Sequence, residues 1–492
     1  MRGIGGFSGF LTRNRIEAVT HSLAERFLSD DGRKRLSRAL EELQQKFGPR
    51  LSTSLPVRQQ HGRGEALDAG CPPDAVVWPE SVDETRAAVE ICARHVVPVI
   101  PYGAGSSLEG HVSAPFGGVC IDLSRMNQVL SVEPEDGICT VQPGVTREAL
   151  NSYLRDTGLF FPVDPGANAT IGGMVATGAS GTTTVRYGNM SQNVLALQVV
   201  LADGQLIRCG TRARKSAAGY DLVRLFTGSE GTLGIITEIT LRLHPQPEAV
   251  GGATCAFPTL RAAVDTVAEL MQSGITPARI EFLDEVQIRA CNSHSRLSLP
   301  ESPTLFLEFH GSPTSVAEQM SAAEQLARDN GAHTFAASTQ AEERSMLWKA
   351  RHAAYFAALG LRPGAKAVVA DVCVPMSALA DCVAETRADI DREGLLAPIL
   401  GHVGDGNFHV VFLLDPDSPD EQSRMERVYD EMIARAHRVG GTCTGEHGIG
   451  LGKREKLVAE FGEATVDLMY RLKTAWDPNG ILNPGKIFLH GT

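Results

Sequence analysis

The chain has 492 residues, which is long enough for two or three domains. Its composition, with 43% hydrophobic and 21% charged residues, is typical of a globular protein and excludes a disordered or fibrous chain. A formal charge of −12 without a basic stripe disfavours nucleic acid or an anionic membrane as the main partner. The ten cysteines form no C-x-x-C pair, as expected in a reducing compartment. No apolar run approaches the ~18 to 20 residues of a membrane-spanning helix, so we expect no such segment.

The N-terminal residues combine basic side chains with a helical segment. Residues 1–16 carry Arg2, Arg13 and Arg15 and no acid, which weakly resembles a mitochondrial transit peptide, although four glycines disfavour a helix there. We therefore expect a cytoplasmic location, including peripheral attachment at the inner membrane, with the mitochondrial matrix as the alternative. Residues 17–47 have a charged helical pattern that ends at Gly48-Pro49 and predict an N-terminal helical extension.

The first glycine-rich loop follows a helix and a strand. Ser81 and Glu84 have the spacing of a capping box, residues 82–94 predict a helix, and residues 96–100 predict a strand. The next ten residues, 101–110, read PYGAGSSLEG, and their backbone N–H groups can converge on a phosphate. The spacing is not G-x-G-x-x-G and a strand follows, which disfavours a nicotinamide site of the Rossmann type.

Two further glycine-rich segments follow. Residues 164–190 contain six glycines and only Asp164 and Arg186 as charged residues, so they can wrap a large cofactor with hydroxyls and backbone amides. Residues 194–209 predict a hairpin that turns at Asp203-Gly204. The third loop, 228–234, leads into a predicted strand over 235–243, which is followed by His244-Pro245-Gln246-Pro247 at the first domain boundary.

The composition divides the rest of the chain. Residues 250–440 have longer helices and alternating strands such as Thr304 to Phe309, and the glycine-rich character returns beyond 441. We therefore predict four segments, namely an N-terminal extension over 1–54, a cofactor domain over 55–248, an inserted substrate domain over 249–440 and a C-terminal segment over 441–492.

A predicted hairpin near the end of the substrate domain carries two histidines. Residues 398–402 and 408–414 are strand-like, and pairing symmetric about Asp405-Gly406 places His402 opposite His409, with Cβ atoms about 4.5 to 5.5 Å apart. Two such imidazoles either share a metal ion or form a hydrogen-bonded pair in the core. The GEHG segment at 445–448 adds one carboxylate and one imidazole, and so completes a two-histidine, one-carboxylate set.

The three glycine-rich segments occur in order and together resemble a known family. PYGAGSSLEG, VDPGANATIGGMVATGASGTTTVRYG and FTGSEGTLGIITEITLRLHP resemble the FAD-binding domain of the vanillyl-alcohol oxidase type, in its D-lactate dehydrogenase and glycolate oxidase branch. The resemblance extends from about residue 55 to 488. It implies an α+β fold in which a bipartite FAD-binding domain holds an inserted α+β substrate domain, and a C-terminal segment returns to the flavin.

The resemblance also assigns residues to the cofactor. It implies that the first loop binds the FAD pyrophosphate, through Gly103, Ala104, Gly105, Ser106 and Ser107. It places residues of the second segment beside the flavin, namely Asp164, Pro165, Gly172, Gly173, Thr177, Ser180 and Gly181. Gly231 and Ile236 would close over the adenosine part, and Asn483 belongs to the returning segment. His111 lies beyond the first loop, so we expect FAD to be bound without a covalent link.

The same resemblance implies a mechanism. His402, His409 and Glu446 would bind Zn²⁺ or Mn²⁺. His447 would be the base that takes the hydroxyl proton of a small D-2-hydroxy acid, D-lactate first, while the Cα hydride would pass to N5 of the flavin. Arg351 would bind the substrate carboxylate through its planar guanidinium, although a lone arginine on a helix is commonly a surface residue.

Several alternatives stay open. Relatives that act on D-2-hydroxyglutarate carry a lysine at the position of Val369, two residues before Asp371, but Lys366 is near enough to leave that dicarboxylate as an alternative substrate. A glycolate oxidase subunit, an alkyl-transferring ether-lipid synthase, and a flavin-binding subunit for electron transfer or assembly are further alternatives. The electron acceptor stays open among a quinone, cytochrome c and electron-transfer flavoprotein.

Overall fold

The computed structural model describes residues 22–64 and 70–489, so the possible transit peptide over 1–16 lies outside the described residues. In the described part, the predicted N-terminal helix is two helices, α1 (22–28) and α2 (Asp30–Phe47). Ser29 separates them, because its side chain accepts the N–H of Gly32 and caps α2. Helix α2 ends at Gly48, whose φ of 53° suits glycine.

The first sheet contains four short strands in the order β1-β2-β4-β3, with β2 and β3 parallel to β4. Its elements are β1 (Leu51–Ser52), α3 (Leu55–His61), β2 (Ala75–Val77), α4 (Val82–His95), β3 (Val99–Tyr102) and β4 (Val119–Asp122). Strand β3 starts three residues later than predicted, because Val96 adopts a left-handed conformation at the end of α4. Only half of the predicted capping box forms, since Ser81 accepts the N–H of Glu84 while the Glu84 carboxylate binds Arg50 and the N–H of Glu80.

The second sheet is antiparallel, with the order β5-β6-β10-β8-β9, and β7 pairs separately with β11. Its elements are β5 (Val129–Glu133), β6 (Ile138–Val141), α5 (Arg147–Leu154), β7 (Leu159–Phe160), α6 (Ile171–Thr177), α7 (Thr184–Tyr187), α8 (Met190–Asn193), β8 (Val194–Val200), β9 (Leu206–Gly210), α9 (Leu222–Phe226), β10 (Ile235–Arg242) and β11 (His244–Pro245). Strands β8 and β9 pair as predicted for the hairpin, with Gly204 at φ 86° in its turn.

The third sheet has seven antiparallel strands in the order β15-β12-β14-β13-β17-β18-β16. Its elements are β12 (Ala249–Ala256), α10 (Leu260–Gln272), β13 (Arg279–Leu283), α11 (Glu285–Ser295), β14 (Thr304–Gly311), α12 (Pro313–Asp329), β15 (Thr334–Ser338), α13 (Ala341–His352), α14 (Ala354–Leu359), β16 (Lys366–Cys373), α15 (Met376–Glu393), β17 (Ile399–Gly401), β18 (Asn407–Leu414) and α16 (Pro419–Arg438). Successive side chains of a strand point to opposite faces. One face packs on α10, α12, α15 and α16, and the other packs on α11, α13 and α14.

The chain returns to the first sheet after α17 (Arg454–Phe461) and α18 (Glu463–Trp476). The N–H of Val99 in β3 bonds to the carbonyl of Ile481 at 2.7 Å, and the N–H of Asn483 bonds to the carbonyl of Val99 at 2.8 Å. This is the predicted α+β architecture with a returning C-terminal segment, while the boundaries at 54, 248 and 440 stay predictions. Within 22–64 and 70–489, no helix combines the length and apolar character needed to cross a membrane.

Candidate active site

A cavity of about 430 Å³ collects residues from all three glycine-rich segments and from the histidine-bearing strands. All but one of the predicted cofactor residues line it, namely Gly103, Ala104, Gly105, Ser106, Ser107, Asp164, Pro165, Gly172, Gly173, Thr177, Ser180, Gly231, Ile236 and Asn483. The predicted metal and catalytic residues line it as well, namely Arg351, His402, His409, Glu446 and His447. Residues predicted from distant parts of the sequence therefore meet in one place.

The glycine-rich end of the cavity fits a cofactor that carries phosphates. A Cβ on Gly231, which has φ 71°, would lie 2.3 Å from Cγ of Pro101, so the backbone approaches here only because the residue is glycine. The hydroxyls of Ser107 and Thr170 are buried in the cavity wall without a hydrogen-bond partner in the described part of the chain. Because buried polar atoms are normally paired, these hydroxyls point to a polar ligand, which FAD would supply.

Gly181 packs against Asp164, which lines the cavity. Gly181 is not a lining residue, and a Cβ there would lie 2.5 Å from the carbonyl carbon of Asp164. The Asp164 carboxylate accepts hydrogen bonds from Thr182 at 2.7 Å and from Arg279 at 3.1 Å. Burial raises the pKa of this carboxyl, but Arg279 and the hydrogen bonds outweigh burial and hold the pKa below its ordinary value. Asp164 is thus an ion-paired carboxylate that joins the second glycine-rich segment to β13.

His402 and His409 are not directly opposite each other, which corrects the predicted register. The residue opposite His409 is Leu400 on β17, and Asp371 is opposite on β16. A 3₁₀ turn over Val403–Asp405, followed by Gly406 at φ 78°, replaces the symmetric turn and leaves His402 beyond the end of β17. The two imidazoles nevertheless lie with ring centroids 5.4 Å apart and nearly perpendicular.

The two imidazoles and one carboxylate converge on a common point. Nε2 of His402 lies 3.1 Å from Oε1 of Glu446, and Nε2 of His409 lies 3.2 Å from the same oxygen. Each ring turns its other nitrogen toward a buried carboxylate, since Nδ1 of His402 is 2.6 Å from Glu281 and Nδ1 of His409 is 3.4 Å from Asp371. Three potential ligand atoms within 4.8 Å of one another fit a divalent cation of the kind that two histidines and a carboxylate bind.

The imidazoles and the Glu446 carboxylate shift each other's pKa values. Burial lowers the pKa of the His402 imidazole, but Glu281 and Glu446 outweigh burial and hold that pKa well above its ordinary value. Burial raises the pKa of the Glu446 carboxyl, but the two imidazoles outweigh burial and hold it well below its ordinary value. The negative charge that favours protons on these rings equally favours a cation at the point of convergence.

His447 lies beside this set with a different electrostatic character. Its ring stacks on His409 with centroids 5.0 Å apart, and its Nε2 is 4.0 Å from Oε1 of Glu446. Burial lowers the pKa of His447 to about 4, with His409 and Lys453 acting in the same direction and Asp371 opposing. The imidazole is therefore neutral at pH 7 and can accept a proton.

Two carboxylates of the site were missed as functional residues in the sequence. Glu281 in β13 and Asp371 in β16 are both fully buried, and each contacts one of the histidines described above. The available signal was a single acid with apolar residues on both sides of it in a strand. A buried charge requires a partner, but the sequence does not say which, because His402 lies 121 residues from Glu281.

Arg351 is a buried residue of the cavity wall. Its Nε donates to Oε2 of Glu281 at 2.8 Å, and its Nη2 lies 2.5 Å from the same oxygen. Glu281 thereby contacts both Arg351 and His402. The predicted substrate arginine and a predicted metal ligand are thus held by one carboxylate at the end of the cavity.

The wall next to the histidines is aliphatic. Val369 pairs with Val411 across β16 and β18, on the sheet face that carries Asp371 and His409. Both valines line the cavity together with Leu400, which is opposite His409. A small molecule bound beside the histidines would therefore place its carbon chain on an apolar surface.

The comparisons with known proteins agree with this geometry. Residues 73–210 match the FAD binding domain family, and residues 246–487 match the family of FAD linked oxidases, C-terminal domain. A probable mitochondrial D-lactate dehydrogenase of Danio rerio is 53% identical over 89% of this chain and 88% of its own length. The chain belongs to the FAD-linked oxidase family. The resemblance to the D-lactate dehydrogenase and glycolate oxidase branch is thereby confirmed, as is the function class of an FAD-dependent oxidoreductase.

One further relative of this FAD-linked oxidase and one solved structure extend the comparison. The mitochondrial D-lactate dehydrogenase [cytochrome] of Arabidopsis thaliana is 45% identical over 89% of this chain and 77% of its own length. The solved structure of p-cresol methylhydroxylase with substrate bound has a TM-score of 0.75 at 18% identity and covers 93% of this chain and 98% of that chain. The similarity to the p-cresol methylhydroxylase structure confirms the predicted fold class of the FAD-linked oxidase.

Proposed function

We propose that the chain oxidises D-lactate and similar small D-2-hydroxy acids to 2-oxo acids, with non-covalently bound FAD and a divalent metal, Zn²⁺ or Mn²⁺. The observation that carries this proposal is the convergence of Nε2 of His402, Nε2 of His409 and Oε1 of Glu446 in the wall of the FAD cavity. A carrier of electrons alone would not need three metal ligands beside its flavin. The names of the Danio rerio and Arabidopsis thaliana relatives support D-lactate as the substrate.

The chain's own residues have separate tasks in this reaction. Arg351 binds the substrate carboxylate, and Glu281 holds the guanidinium in place from behind. His447 accepts the proton of the substrate hydroxyl at Nε2, the nitrogen on the side of the metal ligands. The bound metal would lower the pKa of that hydroxyl as a Lewis acid. The bound flavin would accept the hydride from the substrate Cα.

The cavity wall favours a monocarboxylate. Val369 occupies the position at which the dicarboxylate relatives carry a lysine, and it lies with Leu400 and Val411 in the aliphatic wall. Lys366 is exposed at the start of β16, on the opposite sheet face from Val369, and does not line the cavity. Among the described residues, Arg351 is the one lysine or arginine that lines the cavity. A second substrate carboxylate would therefore lack a cation of its own, so D-2-hydroxyglutarate is the less favoured substrate.

The names of the relatives bear on the electron acceptor and on the location. The word cytochrome in the name of the Arabidopsis thaliana relative favours cytochrome c over a quinone or electron-transfer flavoprotein. Both D-lactate dehydrogenase relatives are described as mitochondrial, which favours the mitochondrial matrix over the cytoplasm. Reduction of cytochrome c by the purified enzyme with D-lactate, compared with a quinone analogue, tests the acceptor.

His111 bears on the cofactor's attachment. It lines the cavity, although the sequence placed it beyond the phosphate loop, and its Nε2 is 3.2 Å from a carboxylate oxygen of Glu230. Because Glu230 engages this ring, we propose that the flavin stays free of a covalent bond to His111.

A ranking of substrates tests the proposed function. With an artificial electron acceptor, D-lactate and similar aliphatic D-2-hydroxy acids should give a far higher kcat/KM than L-lactate, glycolate or D-2-hydroxyglutarate. If D-2-hydroxyglutarate ranks first, the dicarboxylate alternative is correct. If glycolate ranks first, the chain functions as a glycolate oxidase subunit. A flavin that no hydroxy acid reduces would indicate an electron-transfer or assembly subunit.

A further inference from the structure

Asp371 is a fully buried carboxylate that contacts three of the four residues assigned to metal binding and base catalysis. It lies in β16 and pairs with His409 of β18 in the sheet register. Its Oδ1 is 3.4 Å from Nδ1 of His409 and accepts a hydrogen bond from Nδ2 of Asn407 at 2.6 Å. This oxygen therefore contacts the strand that presents His409.

The other oxygen of Asp371 binds the loop that carries Glu446 and His447. Oδ2 accepts the backbone N–H groups of Gly445 at 2.8 Å, Glu446 at 3.1 Å and His447 at 3.2 Å. It also accepts the hydroxyl of Thr444 at 2.8 Å. Three consecutive backbone N–H groups that converge on one anion form a nest, which fixes the loop backbone.

These contacts connect two elements that are distant in sequence. The loop contributes one predicted metal ligand and the base, and β18 contributes a second ligand. Because the two elements meet at one carboxylate, a shift of the Asp371 side chain would move Glu446 relative to His409. A change of this kind alters the distances on which metal affinity depends.

We propose that Asp371 is the positioning residue that holds the 444–447 loop in register with His409 and thereby sets the metal affinity of the site. This inference rests on the proposed function, in which His402, His409 and Glu446 bind the metal. Asp371 itself is not assigned as a ligand, because Oδ2 accepts hydrogen bonds from the loop and Oδ1 accepts one from Asn407.

The same sheet offers a matched control. Asp284, which follows β13, is also fully buried and accepts two backbone N–H groups, from Gln287 at 2.7 Å and from Ile399 at 2.9 Å. It contacts neither the 444–447 loop nor an imidazole of the site in the described residues. D284N therefore reports the cost of altering a buried backbone-binding carboxylate without a direct effect on the loop.

The experiment compares the FAD-loaded wild type with D371N and D284N. In D371N, an amide nitrogen replaces one acceptor oxygen, so the three loop N–H groups or Asn407 lose their partner. We expect the dissociation constant for Zn²⁺ or Mn²⁺, measured by titration of the metal-free protein, to rise about 10- to 100-fold in D371N. We also expect the amides of residues 445–447 to lose hydrogen-exchange protection in D371N and to keep it in D284N.

The outcomes separate the inference from the function on which it rests. Unchanged metal affinity and unchanged protection of residues 445–447 in D371N would overturn the positioning role. A wild type that binds no metal and is not reduced by D-lactate would instead contradict the proposed function. If D371N does not fold, T444V removes the hydroxyl that donates to Asp371 and accepts the N–H of Gly448, and a smaller loss of metal affinity is expected. No loss in T444V then counts against the inference.

Discussion

Each imidazole of the proposed metal site faces a carboxylate with its nitrogen that points away from Glu446. The Glu281 carboxylate lies 2.6 Å from Nδ1 of His402, and the Asp371 carboxylate lies 3.4 Å from Nδ1 of His409. A proton on Nδ1 would therefore face a carboxylate in both rings and leave Nε2 for a ligand. Two core histidines without a ligand would not need both Nε2 atoms beside one glutamate oxygen. The residue-scale geometry therefore favours the metal over the alternative of a hydrogen-bonded pair.

Replacing His409 should remove the metal and leave the flavin. The glycine-rich segments that line the FAD part of the cavity lie in residues 101–236, far from His409 in sequence. We therefore expect H409A to retain its flavin absorption and to lose bound metal, measured by elemental analysis. Chelation of the wild type should inactivate it in the same way, and added Zn²⁺ or Mn²⁺ should restore activity.

H447A is the matched comparison, because the His447 side chain is 11% exposed against 8% for His409 and is assigned to proton transfer instead of metal binding. It should retain metal and flavin while flavin reduction slows by about 10²- to 10⁴-fold, the usual contribution of a general base. Equal metal loss in both variants would make His447 a ligand. Full metal retention in both variants would show that His402 and His409 are a pair of core histidines and not metal ligands.

Val369 should determine the choice between monocarboxylate and dicarboxylate substrates. A charge-assisted hydrogen bond contributes about 1.5 to 3 kcal/mol, so V369K should raise kcat/KM for D-2-hydroxyglutarate roughly 10- to 100-fold and lower it for D-lactate. V369M, which adds length without charge, should lower the rate with D-lactate and leave that with D-2-hydroxyglutarate unchanged. An equal response of the two variants would show that volume, not charge, sets the preference.

At the scale of elements, the Arg50–Glu84 ion pair is one of several that connect the N-terminal extension to the segment around α4. Arg50, just after α2, forms a two-pronged bond with the Glu84 carboxylate of α4. The hydrogen bonds from Arg50 lower the pKa of Glu84 to about 2. A carboxyl with a lowered pKa in the folded state stabilises above its unfolded value of about 4.3, and this contribution is lost as the pH falls toward 2.

E84Q should therefore lower the free energy of unfolding by about 1 kcal/mol at neutral pH, the upper range for a partly exposed pair. Denaturant unfolding at pH 7, 4 and 3 should show the difference from wild type shrinking below about pH 4.3. E90Q, which removes an exposed partner of Arg86 on the same helix, should have almost no effect at any pH. A difference between E84Q and wild type that stays constant with pH would contradict this assignment.

The sequence predicted several elements well and misplaced others for physical reasons. The hairpin at 194–209 was predictable because alternation and an Asp-Gly turn act locally. The register of the histidine hairpin was not, because Gly404 packs closely against Ile280 and Val185, and these tertiary contacts accompany a 3₁₀ turn. The prediction assumed a symmetric turn, but the folded chain has a longer connection between the two strands.

The sequence likewise predicted some of the site residues and missed others. The glycine-rich loops and the GEHG segment were apparent from composition, and the structure brings them to one cavity. The roles of Glu281 and Asp371 were not apparent, because a buried acid acquires meaning only through partners that folding brings near. Long-range pairing, such as that of Glu281 with His402, is information that periodicity does not contain.

At the scale of the molecule, the cavity joins the first two sheets, the seven-stranded sheet and the returning segment. Asn483 takes part directly, since its Nδ2 donates to the carbonyl of Glu230 at 2.7 Å and to that of His111 at 3.2 Å. A ligand in the cavity would thus contact segments that range from residue 101 to residue 483. Bound FAD should therefore stabilise the whole fold and not one domain alone.

Acid or heat should release the flavin if its attachment is non-covalent. Adding FAD to the released protein at about 100 times its dissociation constant should raise the free energy of unfolding by about 2.7 kcal/mol. The measurement is thermal unfolding with and without FAD, with riboflavin as the control that lacks the phosphates. Flavin that stays with the denatured polypeptide would show a covalent link.

The most direct test of the account is anaerobic mixing of the purified, metal-loaded FAD enzyme with one equivalent of D-lactate or L-lactate while flavin absorption is recorded. The account predicts rapid bleaching with D-lactate, none with L-lactate, and none with D-lactate after the metal is chelated. A flavin that stays oxidised with D-lactate although FAD and metal are bound, or that D-lactate bleaches equally well without metal, would contradict it.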